Sequence, residues 1–293
     1  MNNNIFKGTG VAIVTPFDKK GSIDFGSLEK IINHIIKNGV NYIVVLGTTG
    51  ENVTLSKEEK KSVADFVVKT TKKRVPIMLG IGGNNTLDVI DTIKHADFKG
   101  IDAVLSVSPY YNKPTQKGIF EHYKMIAANC PLPIIIYNVP SRTSMNICAE
   151  TTLKIANEIP NVIGIKEASG SLGQCMKIIQ NKPKNFLVIS GDDALTLPLM
   201  AIGADGVISV VANAFPKEFS GMVNFALKND FTKAAALHYK LLDIIELLFA
   251  EGSPSGVKAA LEILGLTQNN VRLPLVTVGK EVYNQLKKKI NEM

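Results

Sequence analysis

Lys166 is the side chain best placed for chemistry, because it ends a short, nearly continuously apolar run that begins at residue 162. In a strand, side chains alternate, so Gly164 and Lys166 would share one face while Ile163 and Ile165 share the other. A lysine in a partly dry environment has a lowered pKa, and its free amine can attack a carbonyl to form a Schiff base. The alternative is a structural ion pair with Glu167, but adjacent strand residues face opposite ways, which disfavours that pair.

Tyr137 and Arg142 lie at the end of another apolar run and in the loop beyond it. Tyr137 would stand one strand away from Lys166, where its phenol could relay protons to a carbinolamine, although a tyrosine that only caps the core is commoner. The planar guanidinium of Arg142 suits a substrate carboxylate, whereas the ordinary interpretation of a lone loop arginine is a surface ion pair.

Two further loops contain polar groups directly after predicted strands. Thr48 and Thr49 are flanked by glycines, so their hydroxyls and exposed amides could hold a small carboxylate, or they could form an ordinary turn. Tyr110 and Tyr111 stand in a proline-bounded loop, which indicates either an active-site lid or a contact between subunits.

Other motifs do not support a metal, nucleotide or phosphate site. The glycine-rich run at 80–85 lacks the third glycine of a dinucleotide fingerprint and the Lys-Ser/Thr ending of a P-loop. Asp192 and Asp193 could suggest paired metal ligands, but no third ligand is near in sequence and a helix N-cap role is favoured. The four histidines lie far apart in predicted helices, so packing or surface roles are favoured over metal binding.

The candidate residues follow short β-rich runs that recur about every 20 to 35 residues, which is the length of one strand–helix unit. The eight predicted strands are Val11–Thr15, Tyr42–Leu46, Ile77–Ile81, Ala103–Val107, Ile134–Tyr137, Val162–Lys166, Leu187–Ser190 and Gly206–Val210. Helical periodicity lies between them, as in Phe25–Lys37 and in Ser56–Thr71, which opens with a capping box from Ser56 to Glu59. Eight such units predict an α/β fold, a closed (β/α)8 TIM barrel whose catalytic groups lie at the C-terminal strand ends.

The end of the chain is predicted to be a helical appendix, with Phe231–Ala250 and Ser255–Leu264 as its clearest helices. We therefore expect a catalytic barrel domain over residues 1–225 and a C-terminal helical domain over residues 226–293.

Composition limits the function classes. The 293 residues are 45% hydrophobic and 20% charged, which excludes wholesale disorder, and no apolar run is long enough to span a bilayer. No secretory signal is visible at the start, and three cysteines without a CxxC motif favour the cytoplasm. The net charge of +7 comes from scattered clusters without interleaved aromatic residues, so nucleic acid is not an expected partner, although small anionic substrates are favoured.

Five motifs in order resemble the dihydrodipicolinate synthase family, of the pyruvate-dependent class I aldolase group that includes N-acetylneuraminate lyase. They are Gly47-Thr48-Thr49-Gly50-Glu51, Pro109-Tyr110-Tyr111-Asn112, Tyr137-Asn138-Val139-Pro140-Ser141-Arg142-Thr143, Gly164-Ile165-Lys166-Glu167-Ala168 and Ser190-Gly191-Asp192-Asp193. Each motif is modest alone, but five in register are highly specific, and the resemblance extends from residue 10 to residue 275.

The resemblance implies a set of catalytic roles. Lys166 would form the Schiff base with pyruvate, and Thr48 and Thr49 would bind the pyruvate carboxylate. Tyr137, Thr49 and Tyr111 would form a proton relay, with Tyr111 supplied by the neighbouring subunit of a tight dimer. No metal or organic cofactor is implied, because the lysine itself is the electron sink.

The resemblance also implies the second substrate and the assembly. Arg142 would bind the carboxylate of L-aspartate 4-semialdehyde, and Gly191 and Ile208 would complete the substrate-binding set. The reaction would be a condensation within lysine and diaminopimelate biosynthesis. The enzyme would be a cytoplasmic homotetramer, a dimer of dimers, without a membrane or nucleic-acid partner.

A possible regulatory site departs from the pattern of strongly lysine-inhibited members. Asn84, Asp88 and Tyr110 are compatible with a site for L-lysine at the dimer interface. Lys57 and Lys60 stand where such members have histidines. Because a cation there should repel the lysine ammonium, we expect weak or absent feedback inhibition.

Two other functions remain open at this point. Another lyase of the group, such as N-acetylneuraminate lyase or a keto-sugar-acid aldolase, would share the lysine, the tyrosine and the threonine pair, but the short Ser-Arg-Thr loop favours a small anionic aldehyde. A non-catalytic barrel that binds keto acids would be expected to lack Lys166, Tyr137 or Arg142, and all three are present.

Overall fold

The structure, a computed structural model, describes residues 3–293. Eight parallel strands close into a barrel in which each strand pairs with the next in sequence and the eighth pairs with the first. They are Gly8–Ala12 (β1), Tyr42–Val45 (β2), Ile77–Gly80 (β3), Ala103–Val107 (β4), Ile134–Asn138 (β5), Val162–Glu167 (β6), Leu187–Ser190 (β7) and Gly206–Ser209 (β8). The predicted (β/α)8 barrel is confirmed.

Helices surround the barrel and continue past its last strand. They are Phe25–Lys37 (α1), Lys57–Thr71 (α2), Thr86–His95 (α3), Gln116–Asn129 (α4), Pro140–Thr143 (α5), Ala149–Glu158 (α6), Leu172–Asn181 (α7), Thr196–Ala201 (α8), Pro216–Leu227 (α9), Phe231–Phe249 (α10), Ser255–Ile263 (α11) and Lys280–Asn291 (α12). Ser56 and Glu59 form the predicted capping box at the start of α2. No helix in residues 3–293 combines the length and the apolar character needed to cross a membrane.

The strands are apolar on both faces because each face is buried against a different layer. One cluster fills the barrel interior and includes Val44, Ile135 and Ile189, whereas a larger cluster joins the outer strand faces to the helices. This is the arrangement expected for a parallel barrel that is covered by helices.

Two details of the strand prediction were wrong. Strand β1 begins and ends three residues before the predicted Val11–Thr15, because the chain leaves the sheet after Ala12 and the Val14 amide binds the Asn213 side chain at 3.2 Å. In β6 the pairing with β5 shifts by one residue near Ile163. Ile163 therefore joins the inner cluster, while Ile165 faces the helices as predicted.

The C-terminal helices pack onto the barrel. Helix α10 contacts α9 and α8, and α11 contacts the turn that follows β8. Helix α12 was not predicted, since its sequence is rich in lysine and asparagine and buries only Leu286. The division at residues 225 and 226 stays a prediction, and the nearest break between helices is the turn at 228–230.

Candidate active site

A cavity of about 270 Å³ opens at the C-terminal ends of the strands, where (β/α)8 enzymes carry their catalytic groups. Thr48, Tyr137, Arg142 and Lys166 all line it, together with Tyr110. Five of the side chains singled out from the sequence therefore meet in one place. The rest of the lining comes mainly from the ends of β1 to β5 and the loops that follow them.

Lys166 lies inside the mouth and is only 6% exposed. It pairs in register with Tyr137 across β5 and β6, and its Nζ lies 4.3 Å from the centre of the Tyr137 ring. Burial lowers the pKa of Lys166 to about 8, while the Asp193 carboxylate opposes this shift and the Arg142 charge adds to it. More of the amine is therefore unprotonated near neutral pH than in an ordinary lysine, and the unprotonated amine is the form that attacks a carbonyl.

The carboxylate of Glu167 points away from Lys166, as predicted. It is buried on the helix side of β6, where it accepts hydrogen bonds from the Asn138 side chain at 3.1 Å and the Gln174 side chain at 2.9 Å. The Ser169 amide donates a further bond at 2.7 Å. This network ties the ends of β5 and β6 together behind the reactive lysine.

Two glycines allow close packing around Lys166. A Cβ at Gly164 would lie 2.8 Å from the Leu187 Cβ and carbonyl oxygen, so this glycine admits the neighbouring strand β7 rather than the lysine. A Cβ at Gly191 would lie 2.9 Å from Lys166 Cε. Gly191, which directly follows β7, is therefore the residue whose small size leaves room both for the lysine side chain and for the Ala168 Cβ, which would lie 2.7 Å from an added Cβ.

Asp193 is a buried carboxylate whose role was missed in the sequence. Its Oδ2 accepts the amides of Val210 and Val211 at 2.9 Å each, while no hydrogen-bond partner for Oδ1 is found within residues 3–293. Asp193 therefore links the loop after β7 to the end of β8. The side chain of the neighbouring Asp192 instead accepts the amide of Leu195, just before α8. Burial raises the pKa of Asp193 to about 6, against the hydrogen bonds around it.

The two threonines of the loop after β2 lie in different environments. Thr48 is exposed and lines the cavity, whereas Thr49 is buried at 5% exposure and is not part of the lining. The Thr48 hydroxyl is also the one beside Tyr137. Burial raises the pKa of the Tyr137 phenol, while the Arg142 charge and the Thr48 hydroxyl oppose this.

Arg142 stands on the short helix α5 at the rim of the cavity. Its side chain is exposed, and no ion pair with it is found in the described part of the chain. The surface ion pair considered as the alternative is therefore not formed within residues 3–293. A guanidinium without a fixed partner beside a cavity can receive a substrate carboxylate.

Tyr110 and Tyr111 point to different places. Tyr110 lines the cavity, whereas Tyr111 is 88% exposed and has a left-handed backbone with φ of 69°. Ile208, also predicted as a substrate contact, belongs to the apolar cluster inside the barrel and is 1% exposed.

A second cavity of about 250 Å³ adjoins the first and shares Tyr110 with it. Asn84 and Asp88 line it, so the three residues of the possible regulatory site lie together. Lys60 also lines this cavity, whereas Lys57 is exposed at the start of α2 and does not.

The closed barrel, with the buried Lys166 and Tyr137 and the exposed Arg142 at its mouth, is of the class I aldolase type. Over residues 5–293 the chain matches the Dihydrodipicolinate synthetase family, and it belongs to that family.

Individual relatives match over almost their whole length. A 4-hydroxy-tetrahydrodipicolinate synthase from Flavobacterium psychrophilum is 53% identical over 281 residues, which cover 96% of each chain. The crystal structure of dihydrodipicolinate synthase from Aquifex aeolicus superposes with a TM-score of 0.94 at 41% identity and 98% coverage of each chain. The chloride-inhibited dihydrodipicolinate synthase from Acinetobacter baumannii, complexed with pyruvate, has a TM-score of 0.94 at 42% identity and the same coverage.

Proposed function

We propose that this chain is a lyase that condenses pyruvate with L-aspartate 4-semialdehyde to give 4-hydroxy-tetrahydrodipicolinate, within lysine and diaminopimelate biosynthesis. The observation that carries the proposal is the buried Lys166, with its pKa near 8, in one cavity with Tyr137 and Arg142. The name of the Flavobacterium psychrophilum relative and the pyruvate complex of the Acinetobacter baumannii relative support the choice of reaction and substrate.

Lys166 begins the reaction as a nucleophile. Its neutral amine adds to the ketone carbon of pyruvate, and the carbinolamine then loses water to form an iminium ion. The Tyr137 phenol donates the proton that the departing hydroxyl needs, since it lies beside the amine. The Tyr137 phenolate left by that step then accepts a methyl proton from the iminium, which gives the enamine, with the lysine nitrogen accepting the electron pair.

The enamine carbon then attacks the aldehyde carbon of the second substrate, and the new alkoxide takes a proton. The amine of the second substrate next attacks the imine carbon, which closes the ring and releases Lys166 as a free amine. For these steps the chain supplies a lysine and side chains that both donate and accept protons.

Thr48 and Tyr111 complete the proton relay in this proposal. Thr48 takes the place that the resemblance gave to Thr49, because it is the threonine hydroxyl next to Tyr137. Thr49 keeps its proposed part in binding the pyruvate carboxylate through the backbone of the turn at 48–50. Tyr111 acts from a neighbouring subunit, an assignment that its 88% exposure supports.

Arg142 selects the aldehyde. Its guanidinium binds the carboxylate of L-aspartate 4-semialdehyde, because a planar fork can form two parallel hydrogen bonds to a carboxylate. Gly191 and Ile208 complete the proposed substrate-binding set.

We further propose a cytoplasmic homotetramer, a dimer of dimers, that acts on small molecules and not on nucleic acid. Exposed aromatic and apolar residues around the mouth, Tyr111 at 88% and Val53 at 81%, support contact with a second subunit. The three cysteines are free thiols, which supports a reducing compartment. Light scattering should give four times the 31.7 kDa mass of one chain.

Borohydride trapping tests the function. Folded protein is treated with pyruvate and sodium borohydride, and the adduct is located by intact mass and peptide mapping. We expect one adduct on Lys166, none in Lys166→Ala, and an unchanged adduct in the control Lys182→Ala. Turnover with pyruvate and L-aspartate 4-semialdehyde is then measured directly. Absence of an adduct in the folded wild type would overturn the lysine mechanism, and turnover of sialic acid alone would indicate another lyase of the group.

A further inference from the structure

Lys258 is a buried lysine that does not line the active-site cavity and lies on the helix α11 that follows the barrel. Its side chain is 0% exposed, and its Nζ donates hydrogen bonds to Glu51 Oε1 and, at 2.8 Å, to the carbonyl of Asn270. Nζ also lies 4.2 Å from the centre of the Phe17 ring. A buried ammonium is tolerated only when such partners replace its lost water, so the local fold is built around this contact.

The other oxygen of Glu51 is held by the same C-terminal region. Glu51 Oε2 accepts the backbone amide of Arg272 at 3.0 Å, and the Arg272 guanidinium binds the Thr54 carbonyl at 2.9 Å and Glu59 at 2.5 Å. Both carboxylate oxygens of Glu51 are therefore fixed by residues more than two hundred positions later in the chain.

Glu51 directly follows the turn that presents the threonines. Its amide bonds the Thr48 carbonyl at 3.0 Å, and its backbone is left-handed with φ of 53°. A left-handed conformation is disfavoured for a residue with a Cβ, so it persists only where surrounding contacts enforce it. A displacement of Glu51 would therefore change the turn at 48–50.

We propose that Lys258 is a positioning residue of the pyruvate site, because it holds Glu51 and through it the Thr48–Gly50 turn that receives the substrate carboxylate. The C-terminal helices are then part of the active site and not only an appendix. This inference rests on the proposed function for the identity of the ligand, but the positioning of the turn can be measured without any ligand.

A purely stabilising role makes a different prediction. Replacing a buried ion pair by apolar or neutral groups of similar volume is often neutral for stability, whereas removing one partner leaves a charge without compensation. A double variant without both charges can therefore regain stability while the turn stays unanchored, which separates the two roles.

The experiment compares Lys258→Met, Glu51→Gln and the double variant Glu51→Gln/Lys258→Met with the wild type. The matched control is Lys182→Met, which breaks the half-buried pair of Lys182 with Asp205 at the opposite end of the barrel. Melting temperature, amide exchange of residues 47–54, and kcat and KM for pyruvate are measured for each protein.

We expect the double variant to melt closer to the wild type than Lys258→Met does, with faster exchange over residues 47–54. Its KM for pyruvate should rise by at least about tenfold, because the turn at 48–50 is no longer held in place. A displacement of binding groups near 1 Å can lower the activity of an enzyme roughly a hundredfold. The Lys182→Met control should lose stability without either change.

Wild-type exchange over residues 47–54 in both the double variant and Glu51→Gln would overturn the inference, as would a wild-type KM for pyruvate in these variants. If the wild type neither binds nor turns over pyruvate, the proposed function fails. The exchange measurement then still decides whether Lys258 positions the turn.

Discussion

Tyr137 and Lys166 face each other across β5 and β6, with the lysine Nζ 4.3 Å from the centre of the tyrosine ring. A cation over an aromatic face is stabilised by ~0.5–2 kcal/mol, which favours the ammonium. Desolvation disfavours the ammonium and is the stronger effect here, since burial lowers the pKa of Lys166 to about 8. The ring therefore covers the amine without holding it in the protonated form.

Tyr137→Phe tests the hydroxyl group of Tyr137 separately from its aromatic ring. The phenylalanine keeps the packing around Lys166 and removes the proton donor, so kcat should fall by about 100-fold, a usual size for the loss of a general acid. Borohydride trapping of pyruvate should still label Lys166, although more slowly. The check is steady-state kinetics together with the rate of trapping, and a wild-type kcat would rule out Tyr137 as the proton donor.

The pH dependence should follow the lysine. Since only the neutral amine attacks, kcat/KM for pyruvate should rise with pH and level off above about 8, where the pKa of Lys166 lies. Asp193 favours the protonated lysine, so Asp193→Asn removes an attraction and should move the rise to lower pH. Asp192→Asn is the control and should leave the profile in place. A profile that moves to higher pH in Asp193→Asn would contradict this electrostatic assignment.

Arg142→Ala should weaken the binding of L-aspartate 4-semialdehyde but not that of pyruvate. Loss of a charge-assisted bond of ~1.5–3 kcal/mol should raise KM for L-aspartate 4-semialdehyde by roughly 10- to 100-fold. Pyruvate should still form its adduct on Lys166. Arg142→Lys should recover only part of the loss, because an ammonium cannot form the bidentate contact. An equal rise in KM for both substrates would show that Arg142 affects the whole cavity and not only the binding of the aldehyde.

Feedback by L-lysine should be weak or absent. Asn84, Asp88 and Tyr110 line the second cavity, but Lys60 lines it too and would repel the ligand's ammonium. Inhibition is measured as turnover against L-lysine concentration, and Lys60→Ala should become more sensitive than the wild type. Half-maximal inhibition of the wild type at submillimolar L-lysine would contradict the prediction. Lys57 lies outside the cavity, so Lys57→Ala is the matched control.

Local patterns in the sequence predicted seven of the eight strands to within a residue or two, the first and second helices, and the inward direction of Lys166. These features depend on neighbours within a few residues, where alternation and capping rules apply. Tyr137 and Arg142 could be assigned to the mouth because Tyr137 lies near the end of a recognisable strand and Arg142 lies just after it. The choice between Thr48 and Thr49 could not be predicted from the sequence. It depends on the left-handed backbone at Leu46 and Glu51, between which Thr48 is exposed and Thr49 is buried.

Long-range features were missed for a physical reason. The bulge that turns Ile163 inward arises from pairing with β5, and Asp193 shows its role only when the end of β8 meets it. The burial of Lys258 could not be predicted, because a lysine is ordinarily exposed and the burial of residues 255–261 of α11 on all sides follows only from packing against the barrel. Such contacts are properties of the closed barrel and not of any local segment.

The contact between Glu51 and Lys258 spans 207 positions of the chain, and this has a consequence for how the protein is made. A ribosome releases the chain from its N-terminus, so the loop that carries Thr48 emerges long before the lysine that anchors it. A nascent chain that already contains all eight strands would still hold this loop without its anchor. Full affinity for pyruvate should therefore arise only after residue 258 has left the ribosome, and chains that terminate before it should bind pyruvate more weakly.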